Sequence, residues 1–411
     1  MSVQIEMNLL SEGNSILTLE ERMPSRTNVA AALAIGTVAL LMLGVQPILL
    51  GALVEAHNAT LKGVGVIAMS EIVALGVGLV LCDALLPLSH LRIAGIIAAL
   101  LAATFDLATV FMAGDLQLTV ARSAAGLLEG ALLWLTTCII VRSSAPERIT
   151  GIFLVAQTLA QAALAAAYAG LIIPRIGWQG GYMVLAVLTL VPCFTVAWLP
   201  AGVAPLETKA GAKLNWSLTT GLPPAIVLFQ MAAIGALWAY LEPLGKLAGF
   251  DAEGAQAVTA GVLVMQVLGG TAASLAVRRL GAVRMLTLGA LLLGAIPLTI
   301  HRLPFGATLS FSVLCGAFGF AWLFLMPFQV SLAFQVDPAG RVAMLVPAMQ
   351  LLGTALGPLS ASLLMHESNA GLVPFVSAGF ALAATALLIL GRSRFRLSPA
   401  ATGAIGAFTA S

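Results

Sequence analysis

The stretch "LTVARSAAGLLEGALLW", Leu118 to Trp134, decides how the rest of the chain is read. It is long and apolar enough to sit in lipid, yet it carries Arg122 and Glu129. A charged side chain at the centre of an inserted helix costs on the order of 2.5–3.5 kcal/mol. Two of them in one segment therefore imply a helix whose charged face meets protein or water, inside a bundle of similar helices.

The surrounding composition agrees. Of 411 residues, 60% are hydrophobic and 9% are charged, and mean hydropathy is +1.04. A soluble domain is about a quarter charged, so this is a membrane protein. A net charge of +2 argues against a nucleic-acid partner. Cys82, Cys138, Cys193 and Cys315 are isolated in apolar segments, so neither a metal site nor a disulfide framework is expected. No cofactor is expected either. HExxH, GxSxG and phosphate-cradling glycine loops are absent from the sequence, which argues against an enzyme and against an ATP-driven pump. His57, His90, His301 and His366 fall near span ends and read as interface markers. Asn58 and Asn215 match the glycosylation pattern and read as chance matches.

A spanning helix needs roughly 20 apolar residues. Twelve such stretches are present: 29–54, 64–86, 93–113, 116–141, 149–173, 181–199, 219–243, 256–277, 284–301, 306–330, 342–365 and 371–390. With the N-terminus inside, fourteen Lys and Arg fall on the inner side. Only Lys62, Arg175, Lys246 and Arg302 fall on the outer side. That bias predicts cytosolic termini. Residues 200–218 hold proline, glycine and charge and read as a cytosolic linker. The expected organisation is an N-terminal tail (1–28), a six-helix bundle (29–199), the linker, a second six-helix bundle (219–390) and a C-terminal tail (391–411). Two repeated bundles with a mid-membrane site between them are a common transporter plan.

Several motifs then resemble the major facilitator superfamily. "RSAAGLLEG" sets Arg122 four residues before Gly126 in the fourth span; "GWQGGY" (Gly177 to Tyr182) leads into the sixth. "RRLGAVR" (Arg278 to Arg284) resembles the family's basic loop, and "GTALGP" (Gly353 to Pro358) its glycine–proline pattern in the eleventh span. There are departures. The loop after the second span keeps Asp83 and Arg92 but lacks the usual glycine–arginine core, and Arg278 stands at an acidic position of the motif. The fifth span lacks the glycine–proline motif of one large class of drug/proton antiporters. The resemblance implies an all-α membrane protein of two six-helix bundles, in the cell membrane (the inner membrane in a bacterium), acting as a monomer by alternating access.

Four ionisable groups lie inside spans of the first half: Glu71, Asp106, Arg122 and Glu129. At about 1.5 Å per residue, Glu71, Asp106 and Arg122 sit roughly 9–11 Å below the outer edge, with Gln46 near the same level. Glu129, seven positions after Arg122, shares its helix face about 10 Å deeper. Arg122 and Glu129 are thus expected as an upper and a lower polar station, with Gly126 between them admitting a helix or a ligand. Three acids against one base imply that at least one carboxyl is protonated in some state, which suits proton coupling by these four residues. For Asp106, on a third span that the resemblance makes peripheral, support of Arg122 stands beside a coupling role.

The second half has no deep ionisable residue but carries Gln230, Trp238, Tyr240, Gln266, Trp322, Gln329 and Gln350. The resemblance places the first, fourth, seventh and tenth spans around the cavity. Gln46, Arg122, Gln230, Trp238, Tyr240, Gln266, Trp322 and Gln350 are therefore candidate substrate-binding residues for an amphipathic organic molecule. Interhelical ties by the glutamines and interfacial anchoring by Trp238 and Tyr240 remain open. Glu55 and Glu242 read as solvated helix ends or as a gate at the cavity mouth. Pro243, Pro327 and Pro358 interrupt helices; proline is commonplace in membrane helices, and bends that serve rocking are the alternative reading. The function so reached is proton-coupled export of a small amphipathic compound. The alternative is uptake of an organic anion or nutrient, with Arg122 binding its carboxylate.

Overall fold

The computed structural model describes residues 24–144, 146–203, 217–277, 279–338, 341–364 and 370–396. Most of both tails, linker residues 204–216, Arg278 and His366 lie outside the described residues. All regular structure among the described residues is helical.

Eleven helical stretches are long and apolar enough to cross a membrane, and one of them counts twice. Arg148–Trp198 runs for 51 residues, roughly 75 Å if straight, against a hydrocarbon core of about 30 Å. It is not straight. A π-helical turn at Tyr168–Ile172 is followed by Gly177, whose φ of 66° and ψ of −172° lie in a region open essentially to glycine. The Tyr168 hydroxyl donates to the Gly181 carbonyl at 2.6 Å. Thirteen residues of unbroken helix would hold those groups about 20 Å apart, so the chain turns back here.

The spans are α1 (Arg26–Glu55), α2 (Leu61–Leu85), α3 (Leu91–Thr109), α4 (Asp115–Ile140), α5 (Pro146–Ala167) and α6 (Ile173–Thr189). In the second half they are α7 (Leu218–Ala239), α8 (Ala252–Ala276), α9 (Ala282–His301), α10 (Thr308–Val336), α11 (Ala343–Leu364) and α12 (Ala370–Phe395). An even number of crossings returns the chain to its starting side. We name that the terminal side and the opposite one the far side.

The bundles begin alike. Ser25 caps α1 in a capping box with Asn28, and Ser217 caps α7 in a capping box with Thr220. Each box satisfies two of the free N–H groups of a helix start. Within the first bundle α2 packs closely on α4, where a Cβ on Gly126 would run into the Glu71 carbonyl. Within the second, α8 and α10 meet in the same manner at Gly269 and Gly319. The "GTALGP" segment does similar service: Gly353 and Gly357 bring α11 onto the backbone of α7. Large side chains on the outer faces of the spans, such as Val120, Val187 and Val313, are exposed, as lipid-facing surfaces require.

Two spans expected to be continuous are broken. In α1 the break is at Leu40 (φ −105°, ψ 3°), and in the seventh span it is at Tyr240 (φ −110°, ψ 17°), after which Leu241–Leu247 forms a short helix. Backbone carbonyls released in lipid must find donors, and two carbonyls of α1 find them in side chains. The Leu40 carbonyl accepts from Gln161 Nε2 of α5 at 2.6 Å. Pro47, which has no N–H, cannot donate to the carbonyl four residues earlier. That carbonyl belongs to Leu43 and accepts from Trp238 Nε1 of the second bundle at 3.0 Å.

The bundles meet on the far side. Leu41–Glu55 packs on α8 and on the two segments of the seventh span, whereas Arg26–Ala39 packs on α4, α5 and α6 of its own bundle. Tyr240 and the Pro358 carbonyl both abut Gly65 of α2. The far side is closed.

Candidate functional site

The charged residues of the first half form one cluster with Arg122 at its centre. Arg122 is 0% exposed. Its Nε donates to Glu71 Oε1 at 2.9 Å, and Nη2 is paired with the same oxygen. Nη1 donates to Asp106 Oδ1 at 2.6 Å, and Nη2 lies 3.5 Å from Glu129 Oε1. Around this core, Gln46 Nε2 donates to Glu71 Oε2 at 3.2 Å and Thr189 Oγ1 to Asp106 Oδ2 at 2.8 Å. The guanidinium carbon sits 5.4 Å from the Tyr182 ring centroid, within cation–π range.

Five helices therefore contribute: α1 (Gln46), α2 (Glu71), α3 (Asp106), α4 (Arg122, Glu129) and α6 (Tyr182, Thr189). Gln46, Glu71, Asp106 and Arg122 meet as their common depth suggested. The two-station picture is corrected: Glu129 is not a separate lower site. The backbones of Arg122 and Glu129 stand about 10 Å apart along the helix, and the combined reach of the two side chains closes that gap. Gly126, between them on the face, receives the backbone of α2 rather than a ligand. Asp106 is fully buried, because α3 packs between α4 and α6. Tyr182, already quoted in the "GWQGGY" segment, and Thr189, one of few polar residues in an oily span, are members that depth counting alone did not assign.

The three acids are held unequally. Both oxygens of Glu71 and both of Asp106 accept hydrogen bonds. Glu129 has one long contact to Arg122, and its Oε2 is buried with no partner among the described residues. The Tyr182 hydroxyl is also buried and unpartnered. One guanidinium matches at most one negative charge in full, and the hydrogen bonds go to Glu71 and Asp106.

Gly126→Val gives a first check on the packing that assembles this cluster. A side chain there has backbone, not a movable side chain, in its way. Overpacking of this kind costs about 1–3 kcal/mol. We expect a lower melting temperature in detergent, and Gly221→Val, which faces open space, to leave it near that of the parent.

The second half uses its polar residues differently. Gln350 Nε2 donates to Gln329 Oε1 at 2.9 Å, Gln329 Nε2 to Gln230 Oε1 at 3.1 Å, and Gln230 Nε2 to the Leu286 carbonyl at 3.1 Å. This amide ladder ties α11, α10, α7 and α9, so the interhelical reading describes these glutamines here. Gln266 is buried with its Nε2 unpartnered. Trp238 and Tyr240 are buried at the contact between bundles; neither anchors the chain at a lipid interface. Trp238 packs edge-on against Trp322 at 5.4 Å, and Trp322 lies 6.0 Å from Phe318. Glu242, expected either at a solvated helix end or as a gate at the cavity mouth, is 0% exposed, so the solvated reading is corrected. The short helix that holds it folds inward between α1 and α8.

The sequence model of the Major Facilitator Superfamily matches residues 31–358. Comparison with curated protein sequences returns no match. Among solved structures, the chain superposes on a mutant of the nucleoside transporter NupG with a TM-score of 0.69 at 12% identity, covering 88% of this chain and 99% of that one. On the xylose transporter XylE from E. coli, in an inward-open conformation, the TM-score is 0.67 at 14% identity, covering 87% and 94%. On a bacterial homologue of the human lysosomal transporter Spinster, inward-facing and occupied, it is 0.63 at 12%, covering 90% and 96%. Identities this low speak for the fold alone, while the family match spans most of the chain. With twelve apolar crossings among the described residues and a family model that matches residues 31–358, the chain belongs to the major facilitator superfamily.

Proposed function

We propose that this chain is a proton-coupled secondary transporter that exports a small amphipathic organic compound by alternating access. It would sit as a monomer in the cell membrane, with both termini and the linker between bundles in the cytosol. Its passengers in this reading are the proton and a small organic solute. The observation that carries this reading is Glu129, a buried carboxyl with one free oxygen beside a guanidinium already occupied by two other acids. A carboxyl so placed is stable neutral, and it ionises when water or a rearranged Arg122 reaches it. Glu71 and Asp106 hold Arg122, and Glu129 exchanges the proton. The aromatic group Trp238, Trp322 and Phe318 on the second bundle supports an amphipathic solute, with Gln46 and Gln266 as polar contacts.

Uptake of an organic anion fits less well, because the Arg122 guanidinium is sealed and hydrogen-bonded to Glu71 and Asp106. A thermal-shift screen of amphipathic drugs and metabolites on the purified protein identifies a binder. Adding that binder to everted vesicles carrying an acid interior is then expected to dissipate the pH gradient, read by acridine-dye fluorescence. Transport of the binder with the gradient untouched would refute proton coupling.

A further inference from the structure

A further buried carboxyl lies outside this cluster, on the far side where the bundles close. Glu242 opens the short helix Leu241–Leu247 after the break at Tyr240. Its carboxyl enters a notch on α1 of the other bundle at Gly51, where a Cβ would collide with it. Neither of its oxygens has an aligned hydrogen bond. Its charge partner is Lys246, one turn on, with Nζ 3.2 Å from Glu242 Oε1. The same ammonium is 3.2 Å from Glu55 Oε2 on α1. The side chains of Lys246 and Glu55 are 33% and 54% exposed, that of Glu242 0%. The groups facing Glu242 are Lys246 on its own helix, Glu55 on α1 and the uncharged Gln256 on α8; Ala370–Leu372 at the start of α12 has nothing ionisable.

This arrangement crosses the contact between bundles, so it exists only while the far side is shut. One ammonium is shared by two carboxylates, which leaves one negative charge uncompensated. Glu55 can keep its charge in water. Glu242 is sealed, without aligned donors, and burial of an unbonded carboxylate is costly. Opening the bundles would lift it from the Gly51 notch into far-side water. We propose that Glu242 is a second proton-binding site, taking a proton from far-side water as that side closes and returning it as that side opens. The proton moves between water and a Glu242 carboxyl oxygen, with no other bond made or broken. Far-side pH then sets how readily the closed state opens, independently of what the Arg122 cluster carries.

The test reads access rather than transport, so it stands or fails apart from the export reading. Cys82, Cys138, Cys193 and Cys315 are replaced by Ser, and Ser362→Cys is introduced as reporter. Ser362 is buried on α11 against Gly65 of α2, part of the far-side contact. A membrane-impermeant maleimide is applied from the far side across a pH series, and rates are normalised to Asn58→Cys on a far-side loop to remove the intrinsic pH dependence of the thiol. The normalised rate is expected to rise with pH, by up to about tenfold per unit, the limit for one proton. Glu242→Gln is expected to label slowly at every pH with the slope gone, and Glu242→Asp to keep a slope. A Glu242→Gln protein that elutes as a single folded species and retains the parent's slope overturns the proposal, as does a flat profile in the parent.

Discussion

Arg122→Leu is expected to unfold at a markedly lower temperature than the parent, a loss of about 3–5 kcal/mol, the usual cost of removing one member of a buried ion pair. The leucine fills comparable space but leaves Glu71, Asp106 and Glu129 facing one another in a dry interior, with no cation among them. The cost arises from the charges left behind rather than from lost contacts. Neutralising those charges should therefore recover much of it: Arg122→Leu combined with Glu71→Gln and Asp106→Asn is expected to melt well above Arg122→Leu alone. Melting curves in one detergent at one pH measure the comparison. If the triple variant is no more stable than the single one, Arg122 acts through packing, and the cluster is not organised by charge. Such non-additivity is the signature of residues sharing one network.

The helices and their number were largely legible in the hydropathy pattern, because lipid permits only long apolar helices or closed barrels. Depth was legible too, since rise per residue is constant, and Gln46, Glu71, Asp106 and Arg122 do share a level. Rotation and side-chain reach were not, which is why Glu129 was assigned a station of its own. Backbone irregularities escaped for a related reason. The break at Leu40 and the turn at Gly177 sit in segments apolar enough to read as plain span or short loop, and the partners that stabilise them, Gln161 and Tyr168, come from elsewhere in the fold. Pro47 was a usable sign, since a proline inside a span always frees one carbonyl. That Trp238 of the other bundle would claim it depends on tertiary packing no local pattern records. Glu242 shows the same limit: its position near a span end suggested water, while the fold turned its helix inward onto Gly51.

Glu129→Gln is expected to abolish accumulation while sparing exchange. The amide keeps the shape and the Arg122 neighbour, so the bundles still assemble and rock, but position 129 can no longer gain or lose a proton. One pH unit across the membrane is worth about 1.4 kcal/mol per proton, a factor of about 10 in the solute ratio it can sustain. With a one-unit gradient and one proton exchanged, parent proteoliposomes should approach that ratio for a compound found by thermal shift. Those with Glu129→Gln should settle near unity. Solute-for-solute exchange, which needs no net proton movement, should continue at a comparable rate. Glu71→Gln and Asp106→Asn are expected to behave differently, because each loosens Arg122 and should impair exchange together with accumulation. The split between the two assays, rather than the loss of activity, identifies the proton carrier. Accumulation intact in Glu129→Gln, or accumulation and exchange lost in equal measure, would assign the proton elsewhere in the chain and reduce Glu129 to a helix tie.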